Sequence, residues 1–374
     1  MTSTIETGRA AVLHDYRADF EITNFPKPKA EPGGLVVEIE TATVCGSDVH
    51  VWQGDMVGVL PISPPLILGH EMTGRITEIG AGADIDSVGQ RLRVGDRVVW
   101  AHIPCGRCHE CTVEREPVLC SRRYIGYLND CSAPPHFTGT FAEYGIVRPA
   151  AGRVRVPDNV ESAWASAGSC ALRTVVRALS VAGPIDRDDT VVIQGAGPLG
   201  LFATALVSLH NPRRLVVVGG PADRLQLAKE WGATDTVMVD PTADPAERID
   251  EVHRITGRGA SVAFELAGAP GVLSEGIQMI ARNGRYVVMG TLGGPPQPVN
   301  AATIVTRGIR VLGSMSGDIG DYHTALLALE RYRDRFDWNR MLGNTYDLDH
   351  LADAMAAMLR MDEIKPIIRP RPSA

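Results

Sequence analysis

The stretch Thr190-Val-Val-Ile-Gln-Gly-Ala-Gly-Pro-Leu-Gly200 decides the fold of the later part of the chain. A short β-branched run enters a glycine turn, and an apolar helical segment follows through Leu209. The glycines permit a tight turn and close approach of the backbone to a ligand, and the first amides of the helix favour an anion. This order of strand, turn and helix predicts a pyrophosphate site formed by Gly195, Gly197, Pro198, Leu199 and Gly200.

Apolar runs and helical patterns alternate after this turn. Strands are predicted at 215–218, 261–264, 284–289 and 310–313, with a helix over 222–231 between the first two. Alternating strands and helices of these lengths are typical of parallel sheets with helices on both faces. The sequence therefore predicts an α/β protein with a doubly wound parallel sheet.

The chain is long enough for more than one core, with 374 residues and 44% hydrophobic content. Before about residue 170 it contains short alternating runs separated by Pro and Gly, which predict a compact β-rich domain. After 314, the segments 322–332 and 348–361 have the spacing of amphipathic helices. We expect a β-rich domain at 1–170, a nucleotide-binding domain at 171–314 and a return segment at 315–374 that completes the first domain.

Four cysteines are clustered in one short segment: Cys105, Cys108, Cys111 and Cys120. Four thiolates at this spacing describe a structural zinc site with no open position. Disulfides are the alternative in a small secreted chain, but thiols in a reducing compartment at such spacing favour metal binding. The segment is therefore predicted to hold one structural zinc ion.

A second set of metal-ligand residues is spread along the chain as Cys45, His70 and Cys170. Three protein ligands leave a fourth position for water or substrate, which is the arrangement of a catalytic zinc. Taken singly, each residue is weak evidence, because a lone buried cysteine or histidine is usually an ordinary core residue. Their joint occurrence with the four-cysteine segment and the glycine turn favours the metal site.

Charge and hydropathy indicate which classes of partner the protein is expected to bind. The formal net charge of −7 and the lack of a basic stripe give no indication of nucleic-acid binding. No apolar run approaches membrane-spanning length, and residues 1–6 lack the basic start and apolar core of a signal peptide. We expect a cytoplasmic protein with no nucleic-acid or membrane partner.

Taken together, the motifs resemble those of the zinc-dependent medium-chain alcohol dehydrogenases, including the secondary-alcohol, polyol and threonine dehydrogenase branches. The resemblance covers almost the whole chain. It implies a GroES-like catalytic domain, a Rossmann domain and an active site in the cleft between them. The shared motifs are Cys-Gly-Ser-Asp-x-His at 45–50, Gly-His-Glu at 69–71, the four-cysteine segment, Phe141-Ala-Glu-Tyr144, the glycine turn and Ile364-Lys-Pro-Ile-Ile368.

The resemblance implies a role for each matched residue. Zinc held by Cys45, His70 and Cys170 would polarise the substrate oxygen and make the alcohol more acidic, so that hydride can pass to nicotinamide. Ser47 would take the alcohol proton, and His50 would relay it toward solvent.

Two carboxylates also match family positions. Asp48 would orient the zinc-bound histidine and fix its tautomer. For Glu71 two roles remain open, since it either assists ligand exchange at the metal or forms a structural ion pair.

The cofactor residues follow from the resemblance as well. Thr174 matches a position near the nicotinamide, and Lys365 is a candidate cationic contact. The strand after the glycine turn ends in Gly219-Gly220-Pro221, where an acidic residue normally bonds the adenosine ribose. Without this acidic residue, the site can accept the 2′-phosphate of NADP. However, positions 220 and 221 hold no arginine to bind that phosphate. Arg224 could contact either a ribose hydroxyl or a phosphate. The sequence favours NAD only slightly.

The expected reaction is hydride transfer between an alcohol and NAD(P), giving a ketone or aldehyde, with two zinc ions per chain. The alcohol is expected to be secondary, with cyclic and polyhydroxylated alcohols as candidates, and the protein to be a homodimer or homotetramer. Alternatives are a zinc-free NADPH-dependent enone or quinone reductase and a non-catalytic nucleotide-binding protein, and the retained zinc ligands argue against both. Candidate pocket residues are Trp52, Met56, Trp100, His102 and the segment 124–136.

Overall fold

The computed structural model describes residues 6–59, 62–290 and 296–371. The strands are β1 Thr7–Leu13, β2 Glu21–Pro26, β3 Leu35–Thr43, β4 Leu66–Ile67, β5 Met72–Ile79, β6 Arg97–Trp100, β7 Tyr144–Val147, β8 Arg153–Arg155, β9 Thr190–Gln194, β10 Arg214–Gly219, β11 Asp235–Met238, β12 Ala260–Glu265, β13 Ile280–Val288, β14 Arg310–Gly313, β15 Leu342–Tyr346 and β16 Lys365–Ile368. The α-helices are α1 Gly46–Gln53, α2 His109–Thr112, α3 Ser162–Ala167, α4 Arg173–Ala182, α5 Pro198–Ser208, α6 Ala222–Glu230, α7 Pro245–Thr256, α8 Val272–Met279, α9 Ala301–Arg307, α10 Ile319–Arg331 and α11 Leu351–Leu359.

The chain forms two compact units, one of Met1–Arg173 with Gly317–Ala374 and one of Thr174–Ser316. In the first unit, a mixed sheet runs β15-β16-β3-β5-β6-β8, and β7 also pairs with β3. A smaller antiparallel sheet has the order β2-β1-β4. The carboxy-terminal strand β16 lies antiparallel to β3, so the return segment completes the sheet of this unit.

The second unit contains the parallel sheet that the sequence predicts. Its order is β11-β10-β9-β12-β13-β14, and every pairing in it is parallel. Numbered within the unit, this is 3-2-1-4-5-6, the order of a Rossmann fold, with β9 at the centre. All five residues of β9 are buried, as expected for a strand covered on both faces. The α/β fold class is therefore confirmed.

Helix ends differ somewhat from the prediction in the return segment. The helix predicted at 322–332 begins earlier, at Ile319, because Asp318 and Asp321 form a capping box at its start. The helix predicted at 348–361 divides into a 3₁₀ turn, Leu348–His350, and α11. Within the described residues, no helix has the length and apolar character needed to cross a bilayer.

Candidate active site

Cys45 lies at the start of α1, where the motif that follows it forms the helix cap. The Cys45 side chain accepts from the backbone of Asp48, and the Asp48 carboxylate accepts from the Cys45 amide at 3.0 Å. This reciprocal pair is a capping box, with cysteine in the position usually held by serine or threonine. The spacing of Cys45 and Asp48 therefore holds the Cys45 thiol at the amino-terminal end of α1.

His70 is brought to the same place by a glycine and by Asp48. Gly69 has φ +92°, and a Cβ there would lie 2.6 Å from the Thr140 hydroxyl, so only glycine fits before the histidine. Asp48 Oδ1 accepts from the Gly69 amide at 3.1 Å and contacts His70 Nδ1 at 3.0 Å. Because Nδ1 is held by this fully buried carboxylate, Nε2 of His70 is the nitrogen left for a metal.

Cys170 lies in a π-helical turn, Gly168–Leu172, between α3 and α4. Such turns often occur at functional sites, where they change the direction of a side chain within a helix. Arg173, which is 3% exposed, reaches back along this turn. Its Nη2 lies 3.7 Å from Cys170 Sγ, and its guanidinium lies over the ring of Tyr322 at 5.0 Å.

These elements bring four donors together: one ligand atom each from Cys45, His70, Glu71 and Cys170, all within 4.8 Å of one another. Two thiols, an imidazole and a carboxylate are donors that zinc prefers, and their separations suit one tetrahedral ion. Burial of the donors and the Asp48 contact behind His70 add the supporting shell that catalytic zinc sites have. The donor set fits zinc.

The two thiols differ in how readily they lose their protons. A hydrogen bond from Cys45, together with the charge of Arg173, holds the pKa of Cys170 well below its usual range. The same hydrogen bond and burial raise the pKa of Cys45 to about 11. Both thiols must lose their protons to hold a metal ion, so metal binding at this cluster would release protons.

Glu71 and Lys365 form a buried ion pair beside this cluster. The Lys365 ammonium, 1% exposed, contacts both oxygens of Glu71 and the Val44 carbonyl, while the Thr43 hydroxyl donates to Glu71 at 2.6 Å. Burial alone would lower the pKa of Lys365, but the Glu71 carboxylate offsets this and the pKa is raised. The sequence predicts a cofactor contact for Lys365, whereas the structure directs its ammonium to Glu71. Glu71 thus forms an ion pair, one of the two roles left open for it, and its role in ligand exchange at the metal stays a prediction.

Ser47 and His50, the predicted proton carriers, both lie on α1. The Ser47 hydroxyl is 3.8 Å from Cys45 Sγ, at the edge of the donor cluster. His50 is exposed, and its Nδ1 lies 2.9 Å from Asp55. In the part of the chain that the structure describes, the two side chains share no direct hydrogen bond, so the relay stays a prediction.

The four cysteines of the structural segment converge as their spacing predicts. Their sulfur atoms, from Cys105, Cys108, Cys111 and Cys120, all lie within 4.8 Å of one another. Cys108 Sγ is 3.3 Å from Cys111 Sγ, and Cys120 Sγ accepts from the Cys105 amide at 3.3 Å. No disulfide joins any cysteine of the chain. Four thiols in this arrangement suit a closed tetrahedral zinc site.

The glycine turn after β9 has the shape of a phosphate cradle. Gly195 has φ +112°, and a Cβ on Gly200 would lie 1.9 Å from the Gly195 carbonyl, so both positions require glycine. Gly197 caps α5 and has open space where a Cβ would lie, while Pro198 begins the helix. The amino-terminal amides of α5 therefore face open space in which an anion can bind. Leu199 lies in the first turn of this helix.

The remaining cofactor candidates flank this turn or lie on α4. Gly219 ends β10 against the turn, since a Cβ there would be 2.8 Å from the Ala196 amide. Arg224 lies in the first turn of α6 and is 7% exposed, and burial lowers its pKa. Thr174 is buried near the start of α4. Their contacts with a dinucleotide stay predictions.

A small cavity of about 50 Å³ in the first unit is lined on one side by His70. Several predicted pocket residues line it, whereas Trp52 and Met56 pack in the core. The Tyr127 ring stacks on the His70 ring with centroids 4.5 Å apart. Burial and the Arg173 charge hold the pKa of His102 well below its usual range, so His102 is neutral. The residues that border this cavity include His70, Trp100, His102, Tyr127, Thr138 and Thr140.

Some site residues were not predicted from the sequence. Arg173 follows Cys170 by three residues on a helical segment, a spacing that places both on one face and could have indicated their contact. Thr138 and Thr140 approach the cluster only through the folded chain, from a segment far from any ligand motif.

Asp48 offers a direct test of the histidine contact. In Asp48→Asn we expect zinc affinity at the Cys45 cluster to fall about 10- to 100-fold, because a neutral amide stabilises the metal-bound imidazole less well than a carboxylate does. Competition with a chromophoric chelator measures this. Asp55→Asn, which changes the exposed carboxylate beside His50, is the matched control. Equal affinity in the two variants would contradict a role for Asp48 at the metal.

A buried thiol and imidazole cluster suited to zinc, on a chain that also carries a Rossmann sheet, defines a zinc-dependent dehydrogenase. Comparison with known protein families agrees with this assignment. Residues 31–158 match the alcohol dehydrogenase GroES-like domain, and residues 198–331 match the zinc-binding dehydrogenase domain. The chain belongs to the zinc-dependent medium-chain alcohol dehydrogenase family and is an enzyme of that family.

The similarity to relatives and to solved structures covers most of the chain. A 5-exo-hydroxycamphor dehydrogenase of Pseudomonas putida is 32% identical over 97% of this chain and 99% of its own length. An L-threonine 3-dehydrogenase of Pyrococcus furiosus is 32% identical over 75% of this chain and 74% of its own. An alcohol dehydrogenase structure from Thermotoga maritima superposes with a TM-score of 0.89 at 29% identity, covering 98% of this chain and all of the other.

Proposed function

We propose that the protein interconverts a secondary alcohol and its ketone with NAD(P), using a zinc ion held by Cys45, His70 and Cys170. The observation that carries this proposal is the buried cluster in which these three donors meet, with Asp48 fixing the histidine. Glu71, the fourth donor within reach, is engaged by Lys365, which leaves three protein ligands and one position for substrate. The zinc-free reductase and the non-catalytic protein are not favoured, because neither needs this ligand set.

When bound, zinc supplies a Lewis acid that makes an alcohol proton easier to remove, and nicotinamide accepts the hydride. The Ser47 hydroxyl, beside Cys45, accepts the alcohol proton as it gives up its own, and a water or cofactor hydroxyl between the two side chains would carry that proton to exposed His50, which releases it to water. The Asp55 carboxylate, 2.9 Å from His50 Nδ1, orients the His50 ring. Asp48 and Arg173 hold the metal ligands in position throughout.

We also propose two zinc ions per chain, the second in the four-cysteine segment. Its sulfur atoms are close enough for one ion and leave no open position, so this ion is structural. Because these thiols must stay reduced to bind metal, we place the protein in the cytoplasm. A homodimer or homotetramer is proposed on the family resemblance alone, and light scattering during size-exclusion chromatography tests it.

The cofactor is proposed to be NAD by a small margin. Gly219 and Gly220 end β10 without a carboxylate that would repel a 2′-phosphate, and no cation replaces it at 220 or 221. We therefore expect kcat/KM for NAD to exceed that for NADP by no more than about tenfold, since the site has neither element of strong discrimination. Initial rates with each cofactor at a fixed alcohol concentration measure the ratio. A preference above about 100-fold in either direction would contradict this proposal.

The experiment for the reaction itself follows nicotinamide absorbance on the zinc-loaded protein. Linear, cyclic and polyhydroxylated secondary alcohols are compared with primary alcohols, because the relatives' names range from hydroxycamphor to sorbitol. We expect secondary alcohols to be oxidised faster than primary ones, with loss of activity after chelation. Activity that survives complete zinc removal, or that is confined to enones with NADPH, would overturn the proposed function.

A further inference from the structure

Arg173 places a buried positive charge beside one of the metal ligands. The side chain is 3% exposed, and its Nη2 lies 3.7 Å from Cys170 Sγ, within hydrogen-bond reach of a thiolate sulfur. Arginine is almost never fully buried without partners, because removing its charge from water is costly. Cys170 carries the opposite charge when it binds a metal, so its sulfur is one such partner.

The position of both side chains follows from local structure. Cys170 lies in the π-helical turn Gly168–Leu172, and Arg173 begins α4 directly after it. Long side chains in helices point back toward the amino terminus, over the preceding turn. The Arg173 side chain does this, since its Nε donates to the Ser169 carbonyl at 2.9 Å. The guanidinium therefore lies over the turn that presents the Cys170 thiol.

Further contacts hold the guanidinium in this orientation. Nη1 of Arg173 donates to the Gly317 carbonyl at 3.3 Å, and the guanidinium carbon lies 5.0 Å from the centre of the Tyr322 ring. A Cβ on Gly317 would lie 3.0 Å from Arg173 Cδ, so this segment packs closely on the arginine side chain. The guanidinium is planar and its N–H groups are fixed relative to one another, so these contacts direct Nη2 to the sulfur.

The charge of the ligand set gives this contact a consequence. The thiolates of Cys45 and Cys170 together carry the charge of a zinc ion with opposite sign, and their electron donation makes the ion a weaker Lewis acid. A cation or hydrogen-bond donor on a ligand sulfur draws electron density back, which is how surrounding groups tune metal centres. Lys365 contacts the Glu71 carboxylate, whereas Arg173 is directed at a ligand sulfur.

We propose that Arg173 acts through Cys170 as a positioning residue, drawing electron density from the thiolate and raising the Lewis acidity of the ion held by the Cys45 cluster. This inference rests on the proposed function, since it concerns the ion that activates the alcohol. An alcohol beside a more electrophilic ion loses its proton more easily, so hydride transfer becomes faster. Arg173 thus affects the reaction without contact to the substrate.

Cobalt(II) in place of zinc makes this effect visible, because charge transfer from sulfur to cobalt gives an absorption band. The ion at the four-cysteine segment contributes equally in every variant and cancels in difference spectra. In Arg173→Met and Arg173→Gln we expect the band to move to longer wavelength, since the sulfur electrons lose the stabilising charge. Arg173→Lys retains a positive charge and should keep the band near its wild-type position. A wild-type band in either neutral variant with cobalt bound would show that Arg173 does not act on the sulfur.

The same variants separate charge from structure. Glutamine can still donate to a backbone carbonyl, whereas lysine keeps the charge but lacks the planar fork, so a band that follows the charge is not explained by lost carbonyl contacts. Arg97→Met is the matched control, because Arg97 is a partly buried arginine that donates to the Val160 and Pro157 carbonyls at 2.7 and 2.9 Å. This variant should lose stability without any movement of the band.

Turnover is a separate readout, and it distinguishes this inference from the proposed function. In zinc-loaded Arg173→Met, kcat/KM for the alcohol should fall about tenfold while KM for NAD stays at the wild-type value, and Arg173→Lys should recover most of the loss. A shifted cobalt band in an enzyme that oxidises no alcohol would support the action of Arg173 on Cys170 and count against the reaction alone. A loss of kcat/KM with an unshifted band would leave Arg173 a structural role only.

Discussion

Cys45→Ser is expected to remove one zinc ion per chain and to lower turnover about a thousandfold or more. A serine hydroxyl does not ionise at neutral pH, so the site keeps two good ligands, and the Lewis acid contributes several kcal/mol to the barrier. The fold should survive, because serine is among the preferred residues at a helix N-cap, the position that Cys45 occupies before α1. Elemental analysis and nicotinamide absorbance measure the two effects, and circular dichroism checks the fold.

Cys131→Ser is the matched control for this substitution. Cys131 is 1% exposed and packs with Phe137 and Tyr144 in an apolar cluster, outside both groups of metal donors. The same chemical change there should leave zinc content and turnover at wild-type values. Full activity with two zinc ions in Cys45→Ser would show that this thiol is not a ligand, and the proposed reaction would then need another centre.

The parts of this protein that sequence alone predicts are those with a local cause. The β9 run and its glycine turn predict the Rossmann sheet because one strand, one turn and one helix fix the local geometry. The four-cysteine segment converges for the same reason, since its ligands are separated by few residues. The spacing of Cys45 and Asp48 is equally local, because it is that of a helix cap.

Contacts between segments that are distant along the chain could not be predicted from the sequence. Lys365 meets Glu71 only because β16 returns to pair with β3, a pairing that no local pattern specifies. Thr140 likewise lies next to Gly69 because its amide donates to the Gly69 carbonyl across the folded chain. The exposed position of His50 likewise depends on how α1 packs. Such contacts depend on tertiary packing, which local patterns in a single sequence do not specify.

Lys365→Met is expected to lower the free energy of unfolding of the metal-free protein by about 3–5 kcal/mol at alkaline pH, because it leaves the Glu71 carboxylate buried without its counter-charge. Burial already raises the pKa of Glu71 to about 8, so the effect should grow as the pH rises above that value. Glu71 is 0% exposed, so no water can replace the ammonium that now contacts both of its oxygens. The methionine fills much of the volume of the lysine stem, so lost charge rather than a cavity dominates the effect. Urea unfolding followed by fluorescence measures it.

Two further variants isolate the buried charge. Lys27→Met makes the same change at the pair of Lys27 with Glu6, where the side chains are 28% and 65% exposed. Its effect should be far smaller, because water solvates the remaining carboxylate. Adding Glu71→Gln to Lys365→Met should recover much of the lost stability, since no unpaired charge then remains. If Lys365→Met unfolds at the same urea concentration as Lys27→Met, the Glu71 carboxylate does not depend on Lys365, and the ion pair is not what keeps Glu71 from the metal.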